Sequence, residues 1–168
     1  MNAAILGYGT VGGGVYEILK DRPDISVKYV LDKALVAELG AVSVTDFSVI
    51  LNDAEVDTVV EVMGGLEPAY EYITAAMRAG KNIVTANKQL LAAHYDELTA
   101  LARETGVGFR SSAAVGGGIP WLPNLQRLKR LGAVNEVCGI MNGTTNYILS
   151  VMQKRGYDYE SVLRDAQS

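Results

Sequence analysis

The sequence predicts an α/β fold, with a doubly wound parallel sheet followed by the beginning of a substrate or catalytic domain. Short apolar runs alternate with segments of helical periodicity up to about residue 110, as in successive βαβ units. The first apolar run, Asn2–Leu6, leads directly into Gly7-Tyr8-Gly9-Thr10-Val11-Gly12, and a helical stretch follows the last glycine. Glycines at this spacing between a strand and a helix are typical of Rossmann-type domains.

Each predicted strand is a short apolar or β-branched run bounded by turn residues. The strands are Asn2–Leu6, Ser26–Leu31, Ala41–Val44, Thr58–Val62, Asn82–Thr85 and Val107–Phe109. The predicted helices between them have apolar residues at helical spacing. These helices are Val11–Lys20, Pro68–Ala79 and Tyr95–Glu104. The stretch Lys33–Gly40 is too short for a long helix, so we expect one abbreviated crossover.

The residue pattern changes after Phe109, where a loop of small residues replaces the alternation of strands and helices. We therefore predict a dinucleotide-binding domain over residues 1–110 and an incomplete substrate or catalytic domain over residues 111–168. The elements predicted in the second region are a helix, a strand, a capped helix and the start of another helix. They are Trp121–Leu131, Ala133–Met141, Tyr147–Lys154 and Asp158–Ser168.

Composition excludes several classes of partner. The chain has 168 residues, of which 49% are hydrophobic and 20% charged, as in ordinary globular domains. A net charge of −4 without a basic stripe argues against nucleic acid. No apolar run approaches the ~20 residues that span a bilayer, and no secretory leader is apparent, so we expect no membrane partner. The single cysteine, Cys138, suits a cytoplasmic protein and lies in an apolar stretch, where we expect it to be buried.

The glycine-rich turn predicts dinucleotide binding. Gly7 allows the tight turn, Gly9 lets the backbone approach a pyrophosphate, and Gly12 lets the helix pack close to the strand. The amino end of that helix would face the phosphate charge. Asp32 ends the second predicted strand, 20 residues after Gly12, where an acidic residue accepts hydrogen bonds from a ribose.

Four further segments carry candidate functions, each with a simpler alternative. Glu61–Gly65 follows a buried strand and either lines the cofactor or forms a tight turn. In Thr85–Lys88, the lysine either orients a substrate oxygen and relays its proton or is a solvated helix-start lysine. Asn142–Asn146 suits a polar-substrate cradle and a helix cap together. Ala114–Ile119 exposes glycine carbonyls that suit a hard cation, or it forms a flexible loop.

Taken in this order and spacing, the segments closely resemble the amino-terminal part of homoserine dehydrogenase over almost the whole chain. Its most distinctive pieces here are Val115–Pro120 and Asn142–Leu149. The resemblance implies NAD(P)-dependent interconversion of L-homoserine and L-aspartate 4-semialdehyde in the aspartate pathway, which supplies threonine, methionine and isoleucine. It also implies a homodimer for the full-length enzyme.

Site residues are predicted from the residues and the resemblance together. The expected cofactor contacts are Gly7, Gly9, Thr10, Val11, Gly12, Asp32, Met63, Gly64, Gly65, Thr85 and Lys88. Lys88 matches one of two family lysines at the reacting centre, which implies a catalytic role. The resemblance assigns substrate contact to Gly143 and Thr144. It assigns a monovalent cation such as sodium to backbone carbonyls of Ser112, Val115, Gly117 and Ile119, with Ser112 standing where the family often has glutamate.

The chain ends before the acidic, glycine-containing stretch and second lysine of the family, so we expect a fragment with an incomplete catalytic apparatus. Asp32 would accept both ribose hydroxyls and repel a 2′-phosphate, which favours NAD, whereas Lys33 beside it would suit NADP. Two alternatives stay open. The first is that the chain is an inactive dinucleotide-binding module, and the second is that it belongs to a dehydrogenase for another semialdehyde or amino acid.

Overall fold

A computed structural model describes residues 1–140 and 142–167. The chain divides into two compact units, Met1–Gly117 and Gly118–Ser168. The first unit has the predicted Rossmann-type α/β fold, built on a parallel sheet of six strands. Among the described residues, every helix is too short or too polar to cross a membrane.

The first unit alternates strands and helices in chain order. Its strands are β1 (Asn2–Leu6), β2 (Ser26–Leu31), β3 (Ser43–Val44), β4 (Thr58–Glu61), β5 (Asn82–Thr85) and β6 (Phe109–Arg110). Its helices are α1 (Thr10–Leu19), α2 (Phe47–Asn52), α3 (Ala69–Arg78) and α4 (Lys88–Thr105). The spatial order is β3-β2-β1-β4-β5-β6, so the chain changes direction across the sheet between β1 and β4. A doubly wound sheet opens a ligand crevice at the carboxyl ends of the strands at that point.

Both faces of the sheet are apolar, which explains why β1 has no polar alternation. Ala4 and Leu6 belong to a large buried cluster that includes Phe47 of α2 and Ile73 of α3. Ile5, on the opposite face, belongs to a smaller cluster against which α1 packs. Strands buried on both sides are expected in parallel sheets that are covered by helices. This packing on both faces fixes the position of the strand ends.

Helix α4 begins earlier than predicted. Its first residue is Lys88 rather than Tyr95, because Asn87 caps it by accepting a 3.1 Å hydrogen bond from the Leu90 amide. His94 interrupts the helical dihedral angles with a φ of −131°, and the predicted helix started just after this kink. The helix ends at Gly106, whose φ of 73° is a left-handed cap.

Two elements near the second crossover also differ from the prediction. The predicted strand Ala41–Val44 pairs only at Ser43 and Val44, since a 3₁₀ segment occupies Ala37–Val42 and Gly40 turns the chain with a φ of 54°. Helix α2 was not predicted. It is one and a half turns long, and Asp46 caps it by accepting from the Ser48 amide at 2.8 Å.

The second unit contains helices α5 (Trp121–Leu131), α6 (Gly143–Arg155) and α7 (Tyr159–Gln167), and α6 packs against α7. The predicted strand Ala133–Met141 was wrong over residues 133–140, which are mostly exposed and have no ladder partner among the described residues. Met141 itself, and Ser168 at the end of the predicted last helix, lie outside the described residues. Cys138 is exposed, so its predicted burial was also wrong.

Candidate active site

The turn from β1 to α1 is held by a backbone contact that only glycine permits. Gly7 adopts a φ of 100°, and its amide donates to the Leu31 carbonyl at 2.8 Å. A Cβ atom added to Gly12 would lie 1.9 Å from the Gly7 carbonyl oxygen. Helix α1 therefore packs directly on the turn, and its amino end lies beside the ends of β1 and β4.

The amino end of α1 is free to receive an anion. Its N-cap is Gly9, which has no side chain to accept from the helix amides, and the first turn holds no acidic residue. A Cβ atom at Gly9 would meet nothing within 4 Å, so the backbone there borders open space. Thr10 and Val11 follow as exposed residues of the first turn. Uncapped amides and the helix dipole together suit a phosphate group.

Asp32 is fixed at the end of β2 by two backbone amides. Its Oδ2 accepts from Tyr8 at 2.7 Å, and its Oδ1 accepts from Lys33 at 2.6 Å. The carboxylate therefore ties the glycine turn to the second strand. The Tyr8 phenol donates to Glu38 at 3.1 Å, and loss of solvent contact, followed by this bond, raises the pKa of Tyr8.

Two hollows lie at the carboxyl ends of the strands, on either side of the loop that follows β4. The larger has a volume of about 550 Å³ and is lined by Gly7, Tyr8, Gly9, Leu31, Asp32, Lys33, Thr45, Val62, Met63, Gly64, Glu67, Pro68 and Tyr72. The smaller has a volume of about 290 Å³ and is lined by Val11, Val62, Met63, Gly64, Gly65, Ala86, Asn87, Lys88 and Gln89. Because Val62, Met63 and Gly64 border both hollows, the two are adjacent parts of one crevice.

Beneath the smaller hollow lies a fully buried carboxylate, Glu61. Glu61 ends β4, where it is the register partner of Leu6 in β1 and of Thr85 in β5. Its oxygens accept from the Thr85 hydroxyl at 2.5 Å and from the Met63 amide at 2.9 Å. The Asn87 side-chain amide also donates to it, at 3.3 Å.

Lys88 is an exposed side chain at the rim of the smaller hollow. It is the first residue of α4, and within the described part of the chain its Nζ has no hydrogen-bond or ion-pair partner. A cation at the amino end of a helix is disfavoured by the helix dipole. A lysine at the first position of α4 therefore goes against the usual preference at helix starts. Such departures are expected at functional residues, and this one lies at the crevice.

Comparison with known families identifies the chain. A family model described as the NAD-binding domain of homoserine dehydrogenase matches residues 7–111, and a second, described as homoserine dehydrogenase, matches residues 120–168. The chain belongs to the homoserine dehydrogenase family. The crevice at the strand ends therefore lies within the part of the chain that matches the family's NAD-binding domain.

Individual relatives agree with this assignment. The homoserine dehydrogenase of Bacillus subtilis strain 168 is 38% identical over 181 residues, covering 99% of this chain and 42% of the relative. That of a Synechocystis species is 43% identical over 175 residues, covering 97% and 40%. The crystal structure of a homoserine dehydrogenase from Thiobacillus denitrificans aligns with a TM-score of 0.91 and 37% identity, over 99% of this chain and 42% of that one. The chain thus spans about 42% of the length of such homoserine dehydrogenases.

Most residues predicted, from the residues and the resemblance together, to touch the cofactor border the crevice. Those that line one hollow or both are Gly7, Gly9, Val11, Asp32, Met63, Gly64, Gly65 and Lys88. Gly12 is buried against the turn and acts through packing. Thr85 is fully buried, and its hydroxyl donates to Glu61.

The residues predicted to contact substrate begin helix α6 in the second unit. Asn142 caps this helix, accepting from the Thr145 amide at 3.0 Å. Gly143 and Thr144 form the exposed first turn. The capping interpretation of this segment is therefore confirmed, and its first-turn amides have the polarity that the cradle interpretation requires.

Two of the four carbonyls in the segment predicted to bind a cation accept hydrogen bonds within the backbone. The Ser112 carbonyl accepts from the Val115 amide at 3.1 Å, and the Ile119 carbonyl accepts from the Trp121 amide at 2.7 Å. Each carbonyl oxygen keeps a second lone pair that suits a hard cation. Among residues 1–140 and 142–167, side chains of His, Cys, Asp and Glu form no cluster that could hold a metal ion.

Sequence reasoning missed Glu61 and Asn87 as components of the site. Both belong to segments that the sequence singled out, but neither was assigned a role. The available signal was a lone carboxylate inside the apolar strand Thr58–Glu61, since such a group must find donors when it is buried. The side-chain donors, Thr85 and Asn87, lie 24 and 26 residues away along the chain, so their identity requires the fold.

Replacing Gly12 by alanine should disrupt the cofactor crevice, because the new Cβ atom would overlap the Gly7 carbonyl. We expect a loss of NAD(H) affinity of at least ~10-fold and a destabilised fold. The matched control is Gly14→Ala, two residues further along α1, where a Cβ atom meets nothing within 4 Å. It should keep its affinity and gain ~0.5–1 kcal/mol of stability from helix propensity. Fluorescence titration and thermal unfolding measure both effects, and equal behaviour of the two variants would contradict the packing role of Gly12.

Proposed function

We propose that this chain supplies the cofactor half of an NAD(P)-dependent homoserine dehydrogenase, which interconverts L-homoserine and L-aspartate 4-semialdehyde. The observation that carries the proposal is a single crevice with the uncapped amino end of α1 and Asp32 at one side and Lys88 at the other. A nicotinamide dinucleotide fits this order of groups, since it has a ribose, a pyrophosphate and a reactive ring in sequence. When bound, the nicotinamide ring accepts or returns a hydride.

The residues of the larger hollow bind the non-reacting part of the cofactor. The amides of the first turn of α1 donate to the pyrophosphate, and the open surface at Gly9 lets its oxygens come close. The Asp32 carboxylate accepts from the adenosine ribose. It is already oriented by the amides of Tyr8 and Lys33, so little ordering is needed when the cofactor binds.

Lys88 acts at the other end of the crevice, on the substrate. Its unpaired ammonium would donate to the oxygen of the substrate alcohol or aldehyde and hold that oxygen near the ring. In aldehyde reduction the ammonium would give a proton to that oxygen, and in alcohol oxidation the same nitrogen, as an amine with a free lone pair, would accept the departing proton. Gly143 and Thr144, at the amino end of α6, are the proposed contacts for the rest of the substrate.

The remaining proposals rest on the family resemblance. We infer that the reaction serves the synthesis of threonine, methionine and isoleucine, that the full-length enzyme is a cytoplasmic homodimer, and that its partners are small molecules rather than nucleic acid or membranes. We also propose that residues 1–110 bind the cofactor and residues 111–168 begin the substrate domain. The second candidate is a dinucleotide-binding module without turnover, which the same crevice at the strand ends would support.

Binding and activity assays separate the enzyme from the module. We expect this chain to bind NAD(P)H, and we expect the full-length enzyme to oxidise homoserine with NAD(P)⁺. In that enzyme Lys88→Met should lower turnover by ~10²–10⁴-fold with cofactor affinity unchanged. The matched control is Lys20→Met, because Lys20 lies beyond the far end of α1 and pairs with Glu17. Cofactor binding without turnover in the full-length enzyme would contradict the enzymatic proposal and support the module. Turnover of another semialdehyde in preference to the homoserine pair would identify a different dehydrogenase.

Asp32 should set the choice between the two cofactors in favour of NAD. Replacing it by serine removes the charge that would repel a 2′-phosphate and leaves Lys33 beside the ribose. We expect the ratio of NADPH to NADH affinity to rise by ~10-fold or more, measured by fluorescence titration of both reduced cofactors. An unchanged ratio would show that Asp32 does not face the ribose.

We propose a sodium-like cation on the carbonyls of Ser112, Val115, Gly117 and Ile119. The thermal midpoint should then be higher by ~2 °C or more in sodium chloride than in choline chloride at equal ionic strength. Ser112→Ala should keep the response, since its backbone carbonyl is retained. Equal midpoints in the two salts would contradict the cation site.

A further inference from the structure

We propose that the buried carboxylate of Glu61 is a positioning residue that holds Lys88 and the Met63–Gly65 loop in a fixed relation across the smaller hollow. Glu61 is 0% exposed and so touches neither cofactor nor substrate. The proposal rests on the proposed function of Lys88, but the link between the two loops is a property of the protein alone.

The Glu61 carboxylate is tolerated at a buried position because hydrogen-bond donors surround it. Glu61 occupies an interior strand, and none of the described residues forms a salt bridge with it. A buried carboxylate without a cationic partner must be satisfied by hydrogen-bond donors. The Thr85 hydroxyl and the amides of Met63, Gly64 and the Asn87 side chain all donate to it. Both carboxylate oxygens accept hydrogen bonds. An apolar residue of similar size would offer these donors no acceptor.

The donors to Glu61 come from two different loops. Met63 and Gly64 belong to the loop after β4, whereas Asn87 belongs to the loop after β5. The Asn87 side chain also donates to the Gly65 carbonyl at 2.6 Å, and its backbone amide donates to the Thr85 hydroxyl at 3.0 Å. These bonds join the two loops that line the smaller hollow through one carboxylate.

Asn87 connects the Glu61 carboxylate to Lys88. The remaining polar atom of the Asn87 side chain, Oδ1, caps α4 by accepting from the Leu90 amide at 3.1 Å. Lys88 is the next residue after Asn87 and the first of that helix. Glu61 therefore orients Asn87, and Asn87 fixes both the start of the helix and the backbone from which Lys88 projects. An error of ~1 Å in such a group costs ~100-fold in rate.

Glu61→Gln is the informative variant, because it keeps the volume and removes one of the two acceptor oxygens. An amide nitrogen at the Oε1 position would face N–H donors, and one at the Oε2 position would leave the Thr85 hydroxyl hydrogen without its acceptor. In the cofactor-free chain, hydrogen exchange at the amides of Met63, Gly64, Asn87 and Leu90 should accelerate by ~10-fold, with core amides such as Ile5 unchanged. The matched control, Glu71→Gln, alters an exposed carboxylate on α3 and should change none of these rates. Unchanged exchange at the four amides, or equal acceleration throughout the sheet, would overturn the proposal.

Kinetics and fluorescence then separate positioning from general stability. In the homoserine assay, Glu61→Gln should lower kcat by ~10–100-fold, a larger factor than any rise in the KM for cofactor, and Glu61→Asp should recover part of the loss. If the chain binds cofactor without turnover, the emission maximum of bound NADH should shift in Glu61→Gln but not in Glu71→Gln. A fall in cofactor affinity with kcat and emission unchanged would overturn the proposal. Absence of NADH binding in the unmodified chain would refute the proposed function, while the exchange rates would still test the link between the loops.

Discussion

The contact between Gly12 and the Gly7 carbonyl is the constraint on which the rest of the crevice depends. It leaves no room for any side chain at position 12, and it brings α1 onto the end of β1. With the helix in that place, its uncapped amides border the open surface at Gly9, and Tyr8 is within reach of Asp32. One backbone contact thereby positions both the anion-binding and the ribose-binding parts of the site.

The opposite side of the crevice is organised differently, by polar side chains rather than by the absence of one. Glu61, Thr85 and Asn87 form a buried hydrogen-bonded network under the smaller hollow. Such networks specify a geometry strongly when every member is satisfied, because any displacement leaves a buried polar group without a partner. The glycine turn and this network meet at the Met63–Gly64 loop, since a Cβ atom added to Gly7 would lie 3.1 Å from Met63, whose amide donates to Glu61.

Local sequence pattern was sufficient where the periodicity was strong and insufficient where distant residues decide the outcome. The strand Ser26–Leu31 was predicted with its observed bounds because its apolar run is flanked by turn residues. The start of α4 was missed because the kink at His94 hides the helical period. The apolar run Ala133–Met141 suggested a strand, but a strand requires a neighbour that pattern alone does not reveal. At the site, the glycines were predicted from their spacing and Lys88 from its position after a strand together with the family resemblance, whereas the side-chain donors to Glu61 come from the fold.

A crystal structure of the chain with bound NAD tests the proposed cofactor site most directly. We expect the pyrophosphate against the first-turn amides of α1, the adenosine ribose on Asp32, and the nicotinamide in the hollow bordered by Gly65 and Lys88. A cofactor bound in the reverse direction, with its nicotinamide beside Asp32, or bound outside the two hollows, would contradict it.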